Sequence, residues 1–192
     1  TLFISVYASL IAIPLGILLA LGRQSQLKVV RLVSVLFIEF WRGVPIIAVI
    51  FLASLLLPLI LPGGVGIDRL ARAVIGLGLV IAAYMAEAVR GGLQALPPGQ
   101  REAATALGLT YWKATGLIIL PQALIVALRP YGNEIILMIK GSAIVAVVTV
   151  FDLMGETKYA YSRTFDFQMY LWAAILYLII VEALRNGWNW ID

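Results

Sequence analysis

The sequence predicts an all-α integral membrane fold with about five transmembrane helices, and three observations carry that reading. Of its 192 residues 62 % are hydrophobic and only 12 % charged. Mean hydropathy is +1.01, well above a soluble domain with its roughly 45–50 % apolar content. The apolar residues also gather into five stretches long enough to cross a bilayer, which takes about 20 residues for a hydrocarbon core of ~30 Å.

The first stretch, Thr1 to Gly22, carries no charge, and Pro14 and Gly16 are positioned to kink it. Gly43 to Ile67 is likewise uncharged, with the helix that enters it predicted to begin near Val33. The third runs from Leu70 to Leu96, the fourth from Leu120 to Val148 and the fifth from Phe167 to Leu184. Breaks separate them: "LPGGVGIDR" at 61–69 and "LPPGQ" at 96–100 read as turns, and "DLMGETKYAYSRTFD" at 152–166 as a polar outer connection in which Asp152 and Glu156 read either as a contact for a delivering protein or as solvated loop residues, the solvated loop being favoured. An odd number of spans puts the ends on opposite sides. Placing the 97–120 loop in the cytoplasm collects Arg23, Lys28, Arg31, Arg90, Arg101, Lys113 and Arg185 there, against Arg69, Arg72, Lys158 and Arg163 outside. That asymmetry favours an outside N-terminus and an inside C-terminus.

Composition also excludes chemistry. With no cysteine and no histidine, disulfides, Cys/His metal sites and Ser/His or Cys/His nucleophiles are ruled out. The net charge of +4 accompanies apolar spans rather than stacking aromatics, so nucleic-acid binding is not expected. "GGVG" at 63–66 lacks the lysine of a phosphate loop. The chain is expected to be non-enzymatic, with no cofactor and no metal.

The charged interruption after the third span has to face water or a partner, because Arg101, Glu102 and Lys113 are expensive inside lipid. Helix formers from Gly99 to Ala106, a permissive Gly108, and Thr110 as an N-cap predict two short helices bent at Gly108 and closed by Pro121. Ala103, Ala104 and Ala106, with Leu107, Leu109, Tyr111 and Trp112, suit either docking into a protein groove or lying on the lipid interface.

The spacing Glu102, Ala103, Ala104, three residues, Gly108, nine residues, Ile118, one residue, Leu120, Pro121 resembles, position by position, the EAA signature of permease subunits of ATP-binding-cassette (ABC) importers. "FIEFWRGVPI" at 37–46, "YMAEAVRGGLQALPPGQREAATALG" at 84–108 and "LPQALIVALRPYGNEIILMIKGSAIVAVV" at 120–148 resemble the polar amino-acid subgroup, with Arg129 a departure where relatives often carry proline or a small residue. The resemblance implies a type I importer fold, MetI-like, with one permease domain over residues 1–192 and coupling helices within about 97–120 seated in an ATPase cleft, Glu102 and Gly108 being the fixed points. It implies as partners a pair of ABC ATPase subunits, a second permease subunit (identical or homologous), an extracytoplasmic substrate-binding protein and an amino-acid substrate, all at a bacterial inner membrane. An ion-driven secondary transporter is the alternative; an interaction scaffold and an embedded enzyme fit less of the sequence.

For the substrate path, Arg129, Asn133 and Lys140 fall within about 40° on a helix and form one stripe. It reads either as a path lining or as two snorkelling cations around an interhelical Asn. Tyr84, Glu87 and Gln94 share a face of the third helix with Arg90 beside it. A cavity of both signs there would suit a zwitterion, and a self-satisfied Glu87/Arg90 pair is the structural reading. Glu39 and Arg42, next to Trp41, are read as structural. Ser142 reads as a ligand contact or as packing, packing being favoured.

Overall fold

Leu2–Arg23 form one unbroken helix, α1, that carries Pro14 within it. Ala8, Ala12, Gly16 and Ala20 recur every four residues and all lie on its buried face. Helix α4, Arg69–Ala95, offers a matching set in Gly78, Ala82 and Ala86. The two stripes interlock: a Cβ on Gly16 would stand 2.6 Å from the Met85 Cβ, and one on Gly78 3.1 Å from that of Ile11. Small residues at this spacing let two backbones approach, which is how helices associate where lipid removes the hydrophobic drive.

The computed structural model describes residues 1–60 and 66–189, which hold helices and no strand. Four helices are long and apolar enough to span a membrane, five if a bent pair counts as one. That pair corrects the expected second span. Lys28–Gly43 (α2) and Ile46–Ile60 (α3) meet at 108°, and α2 begins at Lys28 rather than near Val33. Pro45 is the cause, since the residue before a proline is driven out of the helical region and Val44 is extended at φ −87°, ψ 131°. Residues 61–65 of the first predicted turn lie outside the described residues.

Two predicted helices after α4 become one helix and one continuous rod. Gly99–Ala106 (α5) ends as foreseen, with Gly108 at φ +73°, a left-handed conformation open to glycine at no steric expense. Tyr111–Ala114 (α6) does not stop at Pro121. It continues through a π turn, Thr115–Ile119, into α7, Leu120–Gly141. Pro121 lacks the N–H that would close an α turn on Leu117, and a single wide turn absorbs the deficit without ending the helix.

Beyond α7 a 3₁₀ segment, Ser142–Val148, ends in left-handed Thr149, whose Oγ1 accepts from Arg69 Nη1 at 2.8 Å. The stretch read as a polar connection is a helix, α8, Leu153–Thr164. Asp152 caps it through Gly155 N–H at 2.9 Å and is only 3 % exposed, not solvated. The last helix, α9, runs Gln168–Asn189, so Arg185 sits within a helix rather than past its end. No strong breaker follows Leu184, and one glycine at 187 is tolerated.

Candidate functional site

The α5 region stands on the bundle as an exposed knob. Glu102, Ala103 and Gly108 are exposed, as are Leu107 at 78 % and Trp112 at 75 %. Leu109 is half-buried and Tyr111 exposed. Ala104 points the other way: at 1 % exposure it is the foot of α5 against its own chain and does not belong to the exposed surface. Arg101 Nη2 donates to Gln24 Oε1 at 3.3 Å, tying α5 to the α1–α2 connection. The knob is joined to membrane depth by the continuous rod that starts at Tyr111.

Above the knob, at the same end of the bundle, an ion network joins three helices. Glu87 of α4 accepts from Arg23 Nη1 of α1 at 2.8 Å and from Arg90 Nη2 and Nε at 2.7 and 3.0 Å. Arg23 also pairs with Glu39 of α2 at 3.2 Å, Arg90 reaches Gln94 at 2.7 Å, and Arg42 of α2 stands 4.0 Å from Glu87. Glu87/Arg90 is therefore the core of a wider lock of three guanidiniums on two carboxylates. Only the Arg42 contact is long, and Arg42 also lies over the Tyr84 ring at 5.5 Å from its centroid.

Arg42 opens onto a cavity of about 390 Å³ at the break between α2 and α3. Tyr84, Val80, Glu134 and Met138 line it together with Gly43 to Ile46, the residues of the break. Irregular backbone at membrane depth is tolerated where it lines a cavity, because its polar groups can be met by water or ligand. The walls carry one guanidinium and one carboxyl, Arg42 and the half-buried Glu134.

The predicted path residues separate into different places. Tyr84 reaches the cavity, while Glu87 and Arg90 lie below it in the ion network. Arg129, Asn133 and Lys140 share an exposed face of α7. Ser142 is fully buried, and its hydroxyl donates to the Ile139 carbonyl at 2.8 Å. Sequence reasoning missed Glu134 and set Arg42 aside as structural. The available signal was "RGVP" at 42–45, a charge immediately before a Gly/Pro break.

Comparison with known proteins follows the same lines. A family model described as "binding-protein-dependent transport system inner membrane component" matches residues 12–188. The inner membrane amino-acid ABC transporter permease protein YhdY of Escherichia coli strain K12 is 48 % identical over 179 residues, covering 91 % of this chain and 49 % of that protein. The glutamate/glutamine/aspartate/asparagine transport system permease protein BztC of Rhodobacter capsulatus is 46 % identical, over 96 % of this chain and 43 % of its own. The chain thus spans about half the length of these two relatives. It covers 79 % of the probable amino-acid ABC transporter permease protein YckA of Bacillus subtilis strain 168, at 37 % identity over 94 % of this chain. Among solved structures, a chain of an amino acid ABC transporter crystallised with histidines superposes with a TM-score of 0.87 at 33 % identity, over 99 % of this chain and 88 % of that one. A chain of the inward-facing methionine ABC transporter MetNI gives 0.78 at 22 % identity, over 98 % and 88 %, a likeness of fold that meets the MetI-like expectation.

Proposed function

Because the chain belongs to the family of binding-protein-dependent transport system inner membrane components, we propose that it is the permease subunit of an ATP-driven importer of polar amino acids. Its partners on this reading are a pair of ABC ATPase subunits, a second permease subunit and an extracytoplasmic binding protein that delivers the substrate. The observation that carries the proposal is the exposed α5 knob joined through Gly108 to a rod that runs without interruption to the cavity at Glu134.

The mechanism follows from that connection. Closure of the ATPases displaces Glu102, Ala103, Gly108, Leu109 and Tyr111, and the rod carries the movement to the cavity wall because a helix resists bending more than a loop does. An amino acid in the cavity places its carboxylate toward Arg42 and its ammonium toward Glu134, each charge meeting its opposite out of bulk water. ATP hydrolysis belongs to the partner, and this subunit supplies path and transmission.

The test replaces Glu102 by Ala, or Gly108 by Val, in the assembled transporter, then measures co-purification of the ATPase and uptake of labelled amino acids. Loss of either supports coupling; retention of both overturns it. Uptake driven by an ion gradient in liposomes without any ATPase would instead favour a secondary carrier.

A further inference from the structure

We infer that the groove between the α1–α2 connection and α6 binds an anionic phospholipid, with Arg101 meeting the phosphodiester and the acyl chains lying along α1. The inference stands apart from what the chain carries and from how transport is driven.

The groove encloses about 510 Å³, room for a headgroup and the start of its chains. Two membrane spans supply its walls from their ends: Leu18 and Leu21 belong to the last turns of the span Leu2–Arg23, while Tyr111 and Trp112 open the span Tyr111–Val148. Tryptophan and tyrosine at the end of a span mark headgroup level. Leu27 and Val30, from the start of α2, complete the apolar side, and Leu18 and Leu27 are 66 % and 68 % exposed. That side offers acyl chains a surface for which a soluble anion has no use.

Charge selects the headgroup. Arg101 is the one charged residue among the described residues of the lining, since Glu102 follows it in α5 without reaching the groove. More cations flank it: Arg31 stands one turn after Leu27, Lys28 begins α2, and Lys113 follows Trp112. Among the described residues none of these four cations is in an ion pair, and no acidic residue occurs from Thr1 to Ile38. Basic pockets between spans hold anionic headgroups for this reason. A zwitterionic lipid would bring an ammonium that meets no carboxylate here.

Polar groups complete the seat. Arg101 uses Nη2 on Gln24 Oε1 at the long distance of 3.3 Å, which leaves the rest of the planar guanidinium for a two-pronged contact with phosphate oxygens. Ser25 Oγ accepts from the Leu27 N–H at 3.2 Å and keeps its own proton to donate.

Trp112 is a reporter built into the site. The full chain, purified with the subunits that accompany it, is placed in vesicles of equal parts phosphatidylglycerol and phosphatidylcholine, with bromine on the acyl chains of one lipid or the other. The Trp112 signal is the fluorescence difference between this protein and its Trp112→Phe variant. Quenching should show a preference for phosphatidylglycerol of about fivefold, the effect of one nearby cation on an anionic lipid. Arg101→Gln should abolish that preference, Arg101→Lys should keep most of it, and Arg163→Gln, on α8, should leave it unchanged. Millimolar inorganic phosphate should not displace the lipid. Equal quenching by both lipids would reduce the groove to ordinary boundary lipid, and no quenching by either would mean that a protein partner covers it. Either result, a preference that survives Arg101→Gln, or displacement by inorganic phosphate would overturn the proposal. Quenching is read without substrate or ATP, so its outcome is separate from that of the uptake test.

Discussion

The Arg72 guanidinium donates from Nη1 to the Ser54 carbonyl at 2.6 Å, and Ser54 is the residue four before Pro58. In an α-helix that carbonyl would take the N–H of residue 58, which proline lacks. Arg72 of α4 thus substitutes for a missing bond in α3, where a carbonyl left unmet away from water is costly.

Replacing Arg72 by Met removes that donor. It should lower stability by about 1–3 kcal/mol, the penalty of an unsatisfied buried group. Pro58→Ala restores the in-helix donor, so the double variant should recover much of the loss. Thermal unfolding in detergent, followed for wild type and the three variants, checks this; equal losses in single and double variants would show that Arg72 acts otherwise.

Gly92 and Gly91 should behave oppositely. A Cβ on Gly92 would run into the Ala123 carbonyl, where α4 and α7 touch, whereas one on Gly91 meets no described atom within 4 Å. Gly92→Ala should destabilise by about 1–3 kcal/mol through overpacking. Gly91→Ala should be neutral or slightly stabilising, since alanine is the better helix residue. The same unfolding measurement separates them.

Gly108 holds φ +73° with open space around it, so backbone conformation is the obstacle to substitution and not crowding. Gly108→Asn, which visits that region more readily, should retain more ATPase association than Gly108→Val; for a β-branched residue the strain is about 1–2 kcal/mol. Affinity capture of the ATPase on immobilised permease gives the order, and equal capture by both variants would remove the conformational explanation.

Arg42 and Glu134 carry the two charges of the cavity wall. Arg42→Gln and Glu134→Gln should each raise the apparent KM for uptake about tenfold to a hundredfold, matching the roughly 1.5–3 kcal/mol of a hydrogen bond to a charged group. Co-purification of the ATPase should be unchanged in both. An unaltered KM in either variant would exclude that residue from substrate contact.

Much of this protein was legible from one dimension. The spans around Leu2–Arg23, Arg69–Ala95 and Leu120–Gly141 follow from runs of apolar residues between charges, and the turn at Gly108 from a glycine after strong helix formers. Helix α8 was hidden because its polar face read as a loop. Its cap, Asp152, bonds Thr1 and Tyr177 across more than a hundred and across twenty-five positions of sequence. The cavity was hidden for the same reason: Arg42, Tyr84 and Glu134 stand on three helices that periodicity analyses one at a time.

By itself the sequence determined that the chain lives in a membrane as helices, that these residues bring no Cys or His chemistry, and that a charged stretch facing water or a partner interrupts its spans. Those properties are local, set by transfer free energies and backbone preferences within a few turns. The tertiary structure alone decided that Glu87 is shared among Arg23, Arg42 and Arg90, that α2 and α3 part at a cavity, and that Arg72 mends a bond broken by Pro58. Each of these joins residues on different helices, and a charge or a carbonyl takes whichever partner packing brings within hydrogen-bond reach.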